Sequence, residues 1–262
     1  MISLELIGGG RMGEALIGGL LAAGTLSAEE IAVVEVSAER RTVLAERFDG
    51  IAVLDSPVKA RGVIIATKPA DVVSAVEAAA TTGMDRLLSI AAGVRVAALE
   101  SAAGPGVPVV RAMPNTPALV GAGASAICGG THATPDDLDW AEAILGEVGT
   151  VVRVSEASLD AVTGLSGSGP AYVFLVAEAM IDAGVLNGLT RDTSSALVRQ
   201  TLLGAATLLA ESSDEPLALR AAVTSPAGTT AAGLRVLEDR AVRAAFLDAV
   251  SAAAERSAEL GS

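Results

Sequence analysis

Gly8, Gly10 and Gly13 stand at G-x-G-x-x-G spacing, between the apolar run Leu4–Ile7 and a helical pattern that opens near Met12. Each glycine has a physical task. Gly8 lets the chain turn tightly, Gly10 lets backbone approach a pyrophosphate, and Gly13 lets the helix lie close on the strand. The first N–H groups of that helix then face the phosphates, where the helix dipole favours negative charge. The spacing predicts a dinucleotide site. Farther on, Ala66-Thr67-Lys68-Pro69 and Ser89-Ile90-Ala91-Ala92-Gly93 close apolar runs, at strand ends where open α/β sheets bind ligands. The small residues of the second string leave room for a flat ring close to backbone. In Arg111-Ala112-Met113-Pro114-Asn115-Thr116-Pro117 two prolines fix a loop, and Asn115 offers its amide either to a ligand or to the turn itself. Thr224-Ser225-Pro226-Ala227-Gly228-Thr229-Thr230 is a proline-fixed loop entering a helix. Backbone N–H groups and hydroxyls converge there as at an anion site, although threonine also suits an ordinary helix cap.

The polar chemistry that is missing narrows the reaction. The chain has two lysines, Lys59 and Lys68, one histidine, His132, one tyrosine, Tyr172, and one cysteine, Cys128. From residue 158 onward there is no Lys, His or Cys. A hydroxyacid dehydrogenase with a lysine in its helical domain finds no candidate, and no lysine stands near Tyr172 for a tyrosine–lysine pair. No Cys/His cluster suggests a metal. Cys128 and His132 stand alone and read as structural or incidental. What remains is hydride transfer needing positioning, an anion pocket and one hydrogen-bond donor, as in reduction of an electrophilic C=N bond.

The elements that must position these residues alternate at first. Apolar, β-branched runs predict strands at Ile2–Ile7, Ile31–Val36, Val63–Ala66, Leu87–Ala91, Val107–Ala112, Gly123–Cys128 and Val151–Val154. Helical patterns lie between them at Met12–Ala22, Ala38–Phe48, Ala70–Ala80, Val94–Ser101 and Pro135–Val148. Such runs suit a parallel sheet covered on both faces. After Ser158 only helical periodicity remains, at Leu159–Leu165, Ala171–Leu186, Arg191–Leu209, Pro216–Val223, Thr229–Leu237 and Val242–Leu260, with Ser166–Tyr172 read as a tight helix–helix turn. The fold class expected is α/β. A Rossmann-type, doubly wound domain covers residues 1–157, and an all-helical dimerisation and substrate-binding domain covers 158–262.

Composition agrees with this division. Of 262 residues 51% are hydrophobic but only 2% aromatic, so the core is expected to be Ala, Val, Leu and Gly. A net charge of −13 argues against nucleic acid or an anionic membrane as partner. One cysteine fits a reducing cytosol, and no leader is expected ahead of the first strand. The uncharged run after Arg111 is broken by Pro114, Pro117 and Pro135, so no membrane span is expected there.

Together these strings resemble the pyrroline-5-carboxylate reductase family of proline biosynthesis, over nearly the whole chain. The resemblance runs through Ile7–Gly13, Ala66–Pro69, Ser89–Gly93, Arg111–Gly121, Leu159–Tyr172 and Leu219–Leu260, and Ala222–Thr230 is its most specific string. It implies reduction of L-1-pyrroline-5-carboxylate to L-proline with NADPH or NADH, in a cytoplasmic homodimer or multiple of dimers. Carried over, Ile7, Gly8, Gly9, Gly10, Arg11, Met12, Gly13, Ser37, Ala66, Thr67, Lys68, Pro69, Ile90, Ala91 and Ala92 contact the cofactor, with Asn115 beside the nicotinamide. Ser225, Gly228, Thr229 and Thr230 hold the substrate, and Thr230 hydrogen-bonds its ring nitrogen as the catalytic donor. Two departures stand out. The family usually has two glycines after the Ser-Pro, and here the first is Ala227. It often has an arginine before the serine that meets a 2′-phosphate, and here the sequence is Glu35-Val36-Ser37. Glu35 lies where an acid hydrogen-bonds an unphosphorylated ribose, which tilts the reading toward NADH unless Arg40 or Arg41 compensates. Two other readings share the motifs: a reductase of another cyclic imino acid, or a noncatalytic NAD(P)-binding sensor or scaffold.

Overall fold

The computed structural model describes residues 2–261. Eight strands form one sheet: β1 (Ile2–Ile7), β2 (Ile31–Val34), β3 (Ala52–Leu54), β4 (Ala60–Ile65), β5 (Met84–Ser89), β6 (Val109–Met113), β7 (Gly123–Gly129) and β8 (Gly149–Arg153). Their order is β3-β2-β1-β4-β5-β6-β7-β8. Five helices alternate with them: α1 (Arg11–Ala23), α2 (Ala38–Arg47), α3 (Val72–Thr82), α4 (Val96–Ala103) and α5 (Pro135–Gly146). The chain leaves β1 toward β2 and β3, then returns to lay β4 on the other side of β1. That reversal opens a crevice at the carboxyl ends of β1, β2 and β4, where doubly wound sheets bind nucleotides.

Side-chain alternation along the strands builds two cores. Leu4, Leu6, Val33, Ile64 and Leu88 face one way and pack with Leu16, Ile17 and Leu20 of α1 and Ile144 and Leu145 of α5. Ile7, Val34, Val63, Ile65 and Leu87 face the other way and pack with Val72, Val76 and Ala79 of α3 and Leu99 of α4. Both faces are therefore dry, which is why the central strands read as unbroken apolar runs.

Three features differ from the sequence reading. β3 was not expected; three residues at a sheet edge carry too little periodicity to register. β6 and β7 pair antiparallel within the otherwise parallel sheet, because the nine residues from Pro114 to Ala122 are too few for a crossover. Ser166–Tyr172 is not a tight turn. The backbone stays helical through α6 (Leu159–Val162), a π turn at Thr163–Gly167 and α7 (Gly169–Leu186). The extra residue is taken up by the Ser168 N–H, which donates five residues back to Thr163 O at 2.8 Å.

Four more helices complete the chain: α8 (Arg191–Glu211), α9 (Pro216–Ala222), α10 (Thr229–Asp239) and α11 (Val242–Leu260). Contacts group the described residues into two compact units. One runs through Ser168 and includes the chain again from Ser251; the other is Gly169–Val250. In the first unit, Asp160 of α6 accepts from Arg95 at 2.9 Å and from Ser257 of α11 at 2.8 Å. Buried Arg111, in the middle of β6, pairs with Glu156 at 2.9 Å. In the second unit, Gly188, at φ +95°, ends the connection from α7, and Thr190 caps α8 by accepting the Thr193 N–H. Little of this unit is buried: α7 has no buried residue, and α8 only Ser194 and Val198. The stretch Glu156–Leu186 is long and apolar enough to cross a membrane by length and composition alone.

Candidate active site

The crevice begins at the glycine turn. Gly8 sits at φ +108°, and a Cβ there would stand 2.6 Å from Ala66 O. Only glycine allows β1 and β4 to end this close together. A Cβ on Gly13 would fall on Gly8 O and within 2.7 Å of the Leu6 side chain, so α1 lies directly on its own strand. Gly10 is the N-cap of α1, and nothing stands within 4 Å of the place its Cβ would occupy. The open face above Gly10 and the unpaired first N–H groups of α1 form an anion cradle. Ile7, Gly8, Gly10, Val34, Glu35, Val36, Ala66, Thr67, Lys68 and Asp71 enclose a cavity of about 340 Å³. The hydroxyl of Thr67 is buried with no hydrogen-bond partner among the described residues. A polar atom left unpaired beside an anion cradle fits a site completed by a ligand, and the residues present suit a dinucleotide.

Glu35 dominates the far end of this crevice. One carboxylate oxygen accepts the Gly9 N–H at 3.1 Å and the other the Ser37 N–H at 2.9 Å. Ser37 is the N-cap of α2, its hydroxyl accepting the Arg40 N–H at 3.3 Å. The two nearby arginines hold the backbone around it. Arg40 donates to Gly9 O at 2.7 Å and to the Glu14 carboxylate at 2.6 Å. Arg41 donates to the carbonyls of Glu35 and Val36 at 2.7 and 3.0 Å.

The other strand ends follow the same edge. Ser89 is fully buried, Ile90 and Ala91 are nearly so, and Gly93 turns the chain at φ +76°. Ala92, Gly93 and Pro69 face a second cavity of about 300 Å³, shared with Thr163, Ser168, Arg256, Ser257 and Leu260. These last five lie within strings that carried the resemblance, but none was singled out as a site residue. Arg11 is exposed and Met12 half-buried at the start of α1. Asn115 follows β6 in the loop that leads to β7. Its Nδ2 donates to Ser166 O at 3.0 Å, and its Oδ1 accepts the Ala124 N–H at 2.9 Å. Ser166 O lacks its helical donor because the residue four positions on is Pro170, which has no N–H. Both ends of the Asn115 amide thus serve the framework. Cys128 is likewise structural, its thiol pushed up to about 11, chiefly by burial.

In the second unit, Gly228 is the N-cap of α10, so Thr229 and Thr230 open the helix with exposed side chains. Ser225 O accepts the Gly228 N–H at 3.0 Å, closing a turn in which Ala227 sits at φ +58°. Ala227 thus takes a left-handed conformation that glycine would adopt without strain. A wider hollow of about 410 Å³ between α9 and α10 includes Thr224 but none of Ser225, Gly228, Thr229 or Thr230.

Residues 156–260 match the sequence model of pyrroline-5-carboxylate reductase dimerisation, and residues 3–93 that of coenzyme F420-dependent NADP oxidoreductase. A pyrroline-5-carboxylate reductase of Corynebacterium melassecola is 42% identical over the whole of this chain and 99% of its own. The chain belongs to the pyrroline-5-carboxylate reductase family. A Synechocystis member of the family is 44% identical, with 99% of this chain and 98% of that protein covered. The solved structure of the Coxiella burnetii family member superposes at a TM-score of 0.93 with 34% identity, covering 100% of this chain and 99% of that one. That of the Plasmodium falciparum pyrroline carboxylate reductase, which has NADP bound, gives 0.86 and 31%, with 100% and 98% covered.

Proposed function

We propose that this protein reduces the C=N bond of L-1-pyrroline-5-carboxylate with NAD(P)H, giving L-proline in the last step of proline biosynthesis. The observation that carries the reading is full-length kinship with reductases of this name in a chain whose glycine-lined crevice is intact. Ile7 to Gly13, Glu35, Ser37, Ala66 to Pro69 and Ile90 to Ala92 hold the dinucleotide, and Thr67 gains a partner for its buried hydroxyl. When bound, the dihydronicotinamide supplies the hydride. Ser225, Gly228, Thr229 and the first N–H groups of α10 receive the substrate carboxylate, a helix N-terminus being suited to an anion. Thr230 donates its hydroxyl to the ring nitrogen, and no protein general acid is assigned. Glu35 lines the crevice where an acid would meet an unphosphorylated ribose, which tilts the reading toward NADH, with NADPH as the alternative.

A homodimer, or a multiple of one, follows from the helical unit. Phe174 and Leu175 of α7 and Leu203 of α8 are more than 60% exposed. Patches of this kind mark partner surfaces. A bilayer is the poorer cover, since α8, packed on α7, carries Arg191, Asp192, Arg199 and Glu211, which are costly in hydrocarbon. A twin covers the apolar stripe and leaves those charges in water. The chain then works as a cytoplasmic enzyme with a small-molecule substrate. Loss of NADH or NADPH absorbance on adding pyrroline-5-carboxylate tests the assignment. Cofactor binding without turnover would make the chain a sensor or scaffold instead.

A further inference from the structure

At the opposite edge of the sheet from the crevice lies a cavity of about 300 Å³ that the reaction does not use. Leu4, Leu20, Leu26 and Ile144 give it an apolar floor, and Arg61, Arg86, Trp140 and Glu30 also line it. The Trp140 ring lies over Gly62, where a Cβ would stand 2.5 Å from Cζ2. Arg86, next to Gly62 in the β4–β5 ladder, stacks its guanidinium 4.5 Å from the centre of that ring. Stacking uses the face of a guanidinium and leaves its in-plane N–H donors free in a fixed fork, suited to carboxylate or phosphate. Among the described residues, neither Arg61 nor Arg86 has a carboxylate within 4.0 Å. The one acid lining the cavity is turned elsewhere: Glu30 accepts from Ser3 at 2.9 Å and from Ser27 N–H and Oγ at 3.0 Å each. Arg86 is thus fixed over Trp140 with no acid to satisfy it, at the mouth of an apolar hollow that Arg61 also lines.

We propose that this cavity is a second ligand site, where Arg86 and Arg61 bind the carboxylate or phosphate of a small molecule whose apolar body rests on Leu20, Leu26 and Ile144. Along β1 the residues lining it, Ser3 and Leu4, stand about 10–13 Å from Ile7 at the dinucleotide crevice, three to four residues of strand, so a ligand here leaves the crevice open. Trp140 is the only tryptophan of the chain, so its fluorescence reports on this cavity alone. The protein is titrated in Tris chloride with inorganic phosphate, with cyclopentanecarboxylate and with L-proline. A saturable change at low-millimolar concentration or below is expected for at least one probe, and whichever saturates lowest identifies a phosphate or a carboxylate ligand. In the Arg61→Met/Arg86→Met double variant, checked for an unchanged melting temperature, the Kd for that probe rises about tenfold or more, as expected for lost charge-assisted hydrogen bonds. No saturation with any of the three overturns the proposal, as does saturation with the same Kd in the double variant. Reduction of pyrroline-5-carboxylate in probe-free buffer is expected to be the same in both proteins. The titration needs no turnover, so failure of the reductase assignment would leave it informative.

Discussion

Replacing Glu35 with serine removes one negative charge from the ribose end of the crevice and frees the Gly9 and Ser37 N–H groups it holds at 3.1 and 2.9 Å. The repulsion can be sized by taking a 2′-phosphate on the order of 6–8 Å from the carboxylate. At an effective dielectric of about 20–40, one charge pair at that distance costs about 1–3 kcal/mol. Salt trims this to about 1–2 kcal/mol, or about five- to thirtyfold at 1.4 kcal/mol per decade. The freed N–H groups and the N-terminus of α2 act in the same direction. Arg40 and Arg41 do not change between wild type and variant, being held by Glu14 and by backbone carbonyls. The expectation is that kcat/KM for NADPH over NADH rises by this factor in Glu35→Ser. The gain should shrink as salt is added, because the term is electrostatic. Glu35→Gln, which deletes the charge and keeps the size, should give most of the gain. Steady-state kinetics with both cofactors at two ionic strengths measure all of this. A ratio unchanged within about twofold would refute the reasoning and mean that Glu35 only braces the loop between Gly9 and Ser37.

Thr230→Val keeps shape and deletes a donor; kcat should fall about tenfold to a hundredfold, less than for loss of an oxyanion-hole donor because an iminium disperses charge. Cofactor affinity should be unchanged, and a normal kcat would reduce the hydroxyl to a helix cap. Ala227→Gly should relieve the left-handed strain at φ +58°, raising stability by about 1 kcal/mol and the melting temperature by about 2–4 °C; a lower melting temperature would show that the loop is not strained. Phe174→Asp, on the exposed face of α7, should move the protein toward monomer in light scattering, and a variant as dimeric as wild type would place the interface elsewhere. Glu5 is fully buried on β1, one oxygen taking the Val58 N–H at 2.7 Å and the other unpaired, and burial raises its carboxyl above the ordinary value. Between the ordinary value of 4.5 and the raised one, the folded chain keeps a proton that the unfolded chain releases, so this residue's contribution to stability falls as pH rises. Glu5→Gln should flatten that part of the stability–pH curve in urea melts, and an unaltered curve would assign the dependence to other groups.

Much of the cofactor half was legible because its signals are local. Gly8 needs positive φ and Gly13 a bare Cα, and both needs are visible in the spacing of one string. The strands buried on both faces announce themselves by apolar runs. β5 starts three residues earlier than its apolar run, at Met84, because Asp85 and Arg86 belong to an edge that water reaches and Arg86 covers Trp140 rather than core. Signals that depend on distant partners were not legible. Arg40 and Arg41 looked available to a phosphate, and only the fold shows them committed to Glu14 and to carbonyls at the end of β2.

Asn115 carries the lesson furthest. The sequence offered it to a ligand or to a turn, and the reason for its framework bond lies 55 residues away at Pro170. A proline in the first turn of α7 strips Ser166 O of its donor. The glycine-flanked helix before it takes up an extra residue as a π turn instead of stopping. Ser166 is half-buried, and Asn115 reaches its carbonyl at 3.0 Å in place of the missing helical donor. Two strings that looked like separate motifs, one proline-flanked and one glycine-rich, are thus halves of a single arrangement joining the end of β6 to the start of the long helical run. Neither half states its purpose alone, because the hydrogen bond that gives them meaning exists only after the chain between them has folded.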